Sequence, residues 1–519
     1  MSVILPSERR TAKARIFALL VYAALALGGV TMVLPFGVMI ASSFTSAYDY
    51  GRHLPFVRAL WNRNDRFMRS LSLYFKRFPR DVYPDAPAHW NTWESVAADR
   101  DGIDEFARRN LDPARDPAVF AEWKRLASDF RDFTLAYDIT NTVCAYDRRD
   151  VAPFVQSHFE KKALLDDPGL SGAALREAAL EKMNAEWPVK CKSFFDVSFR
   201  LESQAPLGHA GWRAPDTPKF ALWLEFKDFY RRRMKERDDW ISPVLPFPTP
   251  AKGPPARLHG KTPEDAWAAY GHGRRFPVRE ALAVQFEEHG WRDFRRSAFD
   301  NYATVCDYLF VRGRAFANTL VLVLLSVLAH LTVNPLAAYA LSRFRMRGTE
   351  KILLFLLATM AFPAAVTAVP GFLLVRDLGL LNTMAALVLP GVASGMSIFI
   401  LKGFFDALPR ELYEAASIDG ASEWTVFRKI TLPLTTPILA VNALTSFVAA
   451  YNSWEWAFLV CQKESHWTLA VWLYQMSINY SGEPWCVMAG FVLVSIPTAL
   501  VFLLCQKVIL RGIVLPSLK

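Results

Sequence analysis

The sequence predicts an all-α polytopic membrane protein interrupted by a mainly helical soluble insertion, and three observations lead there. Six stretches, residues 16–48, 315–342, 352–375, 378–401, 430–454 and 484–506, contain no Asp, Glu, Lys or Arg. A helix that crosses a hydrocarbon layer about 30 Å thick needs about 20 such residues. Charge is also divided unevenly along the chain. Residues 43–316 hold 43 of the 60 Lys+Arg and 39 of the 50 Asp+Glu, so one stretch is water-soluble material and the rest is not. The remaining Lys and Arg are biased to alternate loops, as topology requires of a multi-pass protein.

The first element is a span with Arg9, Arg10, Lys13 and Arg15 before it. Its apolar run far exceeds the 7–15 residues of a signal-peptide core, so a retained span is expected. Basic residues then recur after the second span (Arg343, Arg345, Arg347, Lys351), after the fourth (Lys402, Arg410, Arg428, Lys429) and in the tail (Lys507, Arg511, Lys519). The opposite short loops hold only Arg376 and Lys463. The expectation is a multi-pass membrane protein with both termini cytoplasmic and residues 43–315 outside the cytoplasm. The expected domains are 1–42 (tail and first span), 43–315 (insertion) and 316–519 (five spans with a cytoplasmic loop at about 402–433).

The insertion reads as helical. Phe120, Trp123, Leu126, Phe130 and Phe133 form one stripe over residues 115–137. Phe220, Trp223, Phe226 and Phe229 form another over 218–233, and Leu282, Phe286, Trp291 and Phe294 a third over 277–299. Such spacing puts each set on one face of a helix, against a core. Residues 192–202 have strand character, and the Pro-rich 243–255 reads as a loop. Ten of the 16 Trp lie here, which fits a buried aromatic core and, alternatively, sugar-stacking surfaces. Cys144, Cys191 and Cys306 are an odd set, Cys461 and Cys486 flank the last outer loop, and nothing in the spacing decides between pairing and free thiols.

Several chemistries are excluded. A net charge of +10 divides as +4 in the insertion and +6 elsewhere, without the strong basic excess of a nucleic-acid binder. No His/Cys set has zinc spacing, so no metal is expected. Gly260-Lys261-Thr262 mimics the end of a phosphate loop, but Pro255 stands where the first Gly is needed and has no amide to offer. No catalytic constellation emerges, and neither enzyme activity nor a cofactor is expected. The alternative is a membrane-anchored enzyme or sensor acting through residues 43–315.

The loop between the fourth and fifth spans reads PRELYEAASIDGASEWTVFRKITLPL. Glu414-Ala415-Ala416, then Gly420, then Ile430 and Leu432-Pro433 match the EAA---G---------I-LP signature at every specified position. Asn318-Thr319-Leu320, the AAYALSRFR run at 337–345 and Leu378-Gly379-Leu380-Leu381-Asn382-Thr383 agree with it. Here the chain resembles the permease subunits of binding-protein-dependent sugar importers of the maltose-transporter type, over residues 16–42 and about 310–519. The resemblance implies six transmembrane helices of the ABC type I importer permease fold. It implies as partners ABC ATPase subunits, where ATP binds, a second permease subunit and an extracytoplasmic solute-binding protein, within membrane lipid. It assigns ATPase coupling to Glu411, Glu414, Ala415, Ala416, Gly420, Ile430, Leu432 and Pro433. Asn452, Trp454 and Glu455 are candidates for the translocation path, with Ser453 where the family's Asp is usual; belt positions are the alternative for Trp454 and Glu455. His330 and Asn334 read as helix-packing residues. The family has a short first outer loop, so the resemblance says nothing about the insertion.

Overall fold

In the computed structural model the described residues are 12–51, 57–74, 86–90, 92–144, 146, 148–187, 190–191, 193–199, 216–246, 263–311, 314–344, 348–359 and 362–512. The Gly260-Lys261-Thr262 decoy, Arg9, Arg10, Arg345, Arg347 and the end of the tail lie outside them. The chain divides into two compact units, residues 1–305 with 482–489, and residues 306–481 with 490–519.

In the first unit, the helix Ala12–Ser43 is followed by the insertion. One core is built by Arg63–Tyr74, Arg100–Leu111, Pro117–Ala136 and Val278–Cys306, around Phe67, Phe106, Phe130, Trp267 and Phe286. A second is built by Arg148–Asp166, Gly172–Glu186 and Pro218–Glu236, around Phe159, Phe199, Trp223 and Phe226. Each of these large apolar side chains contributes about 1.5–3 kcal/mol by leaving water. The three predicted stripes are therefore core faces, with one correction. Trp291 is 56% exposed, and its ring lies 3.7 Å from the Arg66 guanidinium instead of in the core.

Two other expectations are corrected. Within 192–202 the described residues form a short turn at Phe194–Asp196, not a strand. Among the described residues the strands are Thr142–Cys144 and Val244–Pro246, antiparallel with Val143 opposite Leu245, so a strand begins inside the Pro-rich stretch read as a loop. Pairing across the fold, invisible to local composition, put it there.

The insertion closes on itself at its base. The amide of Asn301, on its last helix, donates to the carbonyls of Ser43 and Thr45 at 2.9 Å each. Buried Arg69 donates to the Phe44 carbonyl at 2.7 Å, to Asp49 at 2.8 Å and to Ser297 Oγ at 2.7 Å. Entry and exit are thus adjacent, which is how a long insertion is accommodated without opening its host.

In the second unit, Ala315–Arg343 packs against Gly395–Asp406 and Thr436–Tyr451. Among the described residues three helices are long and apolar enough to cross a membrane, 16–43, 315–343 and 484–506. Two bent pairs raise the number to five: Met384–Gly391 with Gly395–Asp406, at 49°, and Glu423–Leu434 with Thr436–Tyr451, at 82°. The charge-free stretch 352–375 is not one helix but two, Thr349–Thr359 and Ala364–Asp377. Pro363 caps the second; the residue before a proline avoids helical geometry, and proline has no amide to continue the ladder. The stretch 378–401 likewise begins with a turn, where Gly379 and Asn382 have φ of +68° and +59°.

Candidate functional site

The loop carries a short helix, Arg410–Ile418. Its end explains the motif's glycine. Gly420 has φ of +73°; its amide donates to the Ser417 carbonyl at 3.1 Å, and that of Ala421 to Ala416 at 3.0 Å. This is a Schellman cap, which requires a left-handed residue just past the helix. Ser422 caps the next turn, its Oγ accepting from the Thr425 amide at 3.3 Å. That second helix, Glu423–Val426, continues through a wide turn, Phe427–Thr431, to Leu432–Leu434, and the chain then bends by 82°.

A Cβ at Gly420 would meet nothing within 4 Å, so the demand is on the backbone alone. Gly420→Ala is therefore expected to destabilise the cap by about 1 kcal/mol, and Gly420→Asn by less. Hydrogen exchange of the amides in 410–421 should accelerate about fivefold in the alanine variant.

The two faces of the loop helix differ. Tyr413 and Ala416, at 4% and 7% exposure, sit in a core with Tyr339, Leu401, Phe405 and Phe427. The Arg343 guanidinium lies 3.5 Å from the Tyr413 ring, and Tyr413 Oη is 3.2 Å from Thr431 Oγ1. Tyr339 donates to Glu423 at 2.5 Å. The opposite face presents Glu411, Leu412, Glu414 and Ala415 to the exterior. Ile418 at 86% and Trp424 at 60% exposure extend it. Exposed apolar residues around two carboxylates form a surface suited to a protein partner.

The eight positions to which the resemblance assigns coupling thus separate. Glu411, Glu414, Ala415, Gly420 and Pro433 are exposed. Ala416, Ile430 and Leu432 pack inward and hold the loop to its own unit. The alternation of faces was readable from helical period, but which face turned outward was not. Ala416 belongs to the motif as a packing residue.

Of the translocation candidates, Asn452 lies just past Thr436–Tyr451, and Trp454 and Glu455 open the next helix, Trp454–Val460. All three are exposed. The Trp454 ring stacks on Tyr474 at 4.8 Å, and Trp456 Nε1 donates to the Ala386 carbonyl at 2.9 Å, so both rings have protein partners. Asn442, in the same run, was missed. It is 8% exposed, and its Nδ2 has no hydrogen-bond partner among the described residues. Its signal was a lone amide in an apolar stretch.

Asn334 and His330 do more than pack. Asn334 accepts from the Ser394 amide at 2.9 Å and donates to the Val392 carbonyl at 3.3 Å, while His330 Nε2 donates to the Gly391 carbonyl at 2.9 Å. They satisfy backbone groups freed at the 49° break, which a lipid environment cannot do. Asn318 likewise donates to the carbonyls of Ser465 and Trp467, and Thr319 accepts from the Leu469 amide at 2.8 Å. Asn382 accepts from the Lys463 amide at 2.8 Å. Groups of three or more potential metal-binding side chains are absent among the described residues.

Residues 333–514, which include the loop helix and its cap, match the family described as binding-protein-dependent transport system inner membrane component. The chain is 32% identical over 219 residues to the lactose transport system permease protein of Rhizobium radiobacter, covering 42% of this chain and 80% of that one. It is 34% identical over 228 residues to the trehalose/maltose transport system permease protein of Thermococcus litoralis, covering 43% and 82%. It is 31% identical over 213 residues to the diacetylchitobiose uptake system permease protein of Streptomyces coelicolor, covering 40% and 70%.

Proposed function

The chain belongs to the binding-protein-dependent transport inner membrane component family, and from that membership we infer that it is the permease subunit of an ATP-driven importer whose solute is a sugar or oligosaccharide. The observation that carries this reading is the loop helix, capped by Gly420 and presenting Glu414 and Ala415 outward. The solute class follows the relatives, whose names specify lactose, trehalose/maltose and diacetylchitobiose.

In this reading the outward face of the loop helix docks in a cleft of an ATPase subunit. The inward face, anchored by Tyr413, Ala416 and the Arg343 contact, makes the helix rigid with its own unit. Closure of the ATPase pair then moves the membrane helices as bodies. A second permease subunit completes the path, which Asn452, Trp454 and Glu455 line. A binding protein delivers the solute from outside. Both termini face the cytoplasm and residues 43–315 lie outside it, following the Lys/Arg bias.

Uptake of labelled lactose and maltose into cells carrying the importer tests this. The reading expects accumulation of at least one sugar that depends on both the chain and ATP. Neither sugar accumulating, with the importer assembled in the membrane, would reject the solute class.

A further inference from the structure

The insertion carries a cleft of about 390 Å³ between the helices Arg148–Asp166 and Pro218–Glu236. The helices run antiparallel, since Tyr230 donates to Asp150 at 2.5 Å while His158 meets Glu225 at 3.4 Å. Phe154 and Phe229 meet at 5.6 Å between ring centroids and both line the cleft. Charged groups rim it: Lys161, His158 and Glu225 toward one end, Arg232, Arg233 and Glu236 toward the other. From residue 225 to residue 236 is eleven helical steps, about 16 Å of rise.

The charges are balanced. Arg232 pairs with Asp228 at 3.1 Å, and Arg233 lies 3.8 Å from Asp150 and over the Phe229 ring. Burial lowers the His158 pKa, Glu225 opposing it, so the imidazole is largely neutral at pH 7. Lys161 and Glu236 have no ion-pair partner among the described residues, and they offer a donor and an acceptor to whatever enters. A net positive cleft would select anions; this one offers donors and acceptors in near-equal number above two aromatic rings. Seven of the nine lining residues are polar or charged and two are phenylalanines, so hydrogen-bonding groups dominate the cleft wall. An uncharged polyol ring matches it, laying a C–H face against the part of Phe154 that lines the cleft and directing hydroxyls to Lys161, Arg232, Glu225 and Glu236.

We propose that this cleft is a binding site for a neutral saccharide, a holding site on the insertion separate from the membrane path. The proposal rests on the sugar-importer reading and adds to it. Its test is calorimetric titration of the full-length permease in lipid nanodiscs with lactose and with maltose. Lys161→Gln/Glu236→Gln, both at the surface, should weaken binding about tenfold or more by removing two charged hydrogen-bond partners. Phe154→Leu should weaken it as well, and Lys235→Gln, off the cleft, should not. Circular dichroism of each variant should match the parent. No binding of either sugar, or binding unchanged in the double variant, overturns the cleft. Tighter binding of digalacturonate than of the neutral sugars overturns the neutral assignment. Cellular uptake of the same sugars separates the two readings: uptake without cleft binding leaves the permease intact and removes only the cleft.

Discussion

Glu414→Lys should abolish sugar uptake while leaving the protein in the membrane at its normal level. Glu414 sits on the outward face of the loop helix and has no hydrogen-bond or ion-pair partner among the described residues. Reversing its charge therefore leaves the chain's own packing alone. In a docked complex the same reversal leaves a cation against the group that Glu414 engages. Removing one partner of a buried, hydrogen-bonded charge pair costs about 2–5 kcal/mol. Co-purification of the ATPase should fall by about thirtyfold or more, and ATP-dependent uptake with it. Glu411→Lys, one turn away at the edge of the face, should do less. Ala416→Leu differs in kind: it overfills the inward core and should lower the thermal stability of the permease itself. Normal uptake by the Glu414→Lys protein would reject the coupling role.

Arg149→Glu should reduce uptake by about fivefold or more, although Arg149 lies far in sequence from the motif. Arg149 Nε lies 2.8 Å from Glu483 Oε2, and its Nη1 lies 3.3 Å from Asn301 and 3.5 Å from Asp300. Glu483 immediately precedes the helix Pro484–Gly512, and Tyr50 meets Trp485 on that helix at 5.6 Å. Residues 482–489 belong to the same compact unit as the insertion. The insertion thus grips the head of the last helix, and we expect that grip to matter to transport. The charge swap Arg149→Glu/Glu483→Arg should recover uptake only in part, because Asp300 then faces a like charge. Full uptake by Arg149→Glu, or by a chain lacking residues 50–305, would show that the insertion is dispensable.

Much of this was legible because it is local. Charge-free runs mark apolar helices wherever they stand, since the hydrocarbon layer tolerates little else. The order of Glu414, Ala415, Ala416 and Gly420 marks the loop by its motif, and the structure places a short helix and its glycine cap there. The helical stripes at Phe130, Phe226 and Phe286 needed only a period of 3.6. The misses share one cause. The stretch 352–375 looked like one unbroken helix because hydropathy averages over Pro363. Trp291 looked like core because period cannot reveal that Arg66 comes to cover it. The strand Val244–Pro246 exists because Thr142–Cys144 lies beside it.

By itself, the sequence determined the class of the protein: apolar helices around a charged insertion, and one loop whose residue order carries the family signature. These follow from neighbours within one or two helical turns. Only the tertiary structure decided which face of the loop helix turns outward. It also decided that Asn334 and His330 repair a broken helix, that Asn301 and Arg69 close the base of the insertion, and that Arg149 reaches Glu483. Each of those is a contact between groups far apart in the chain. Their pairing is set by how the helices pack, and packing is a property of the whole fold rather than of any window of sequence.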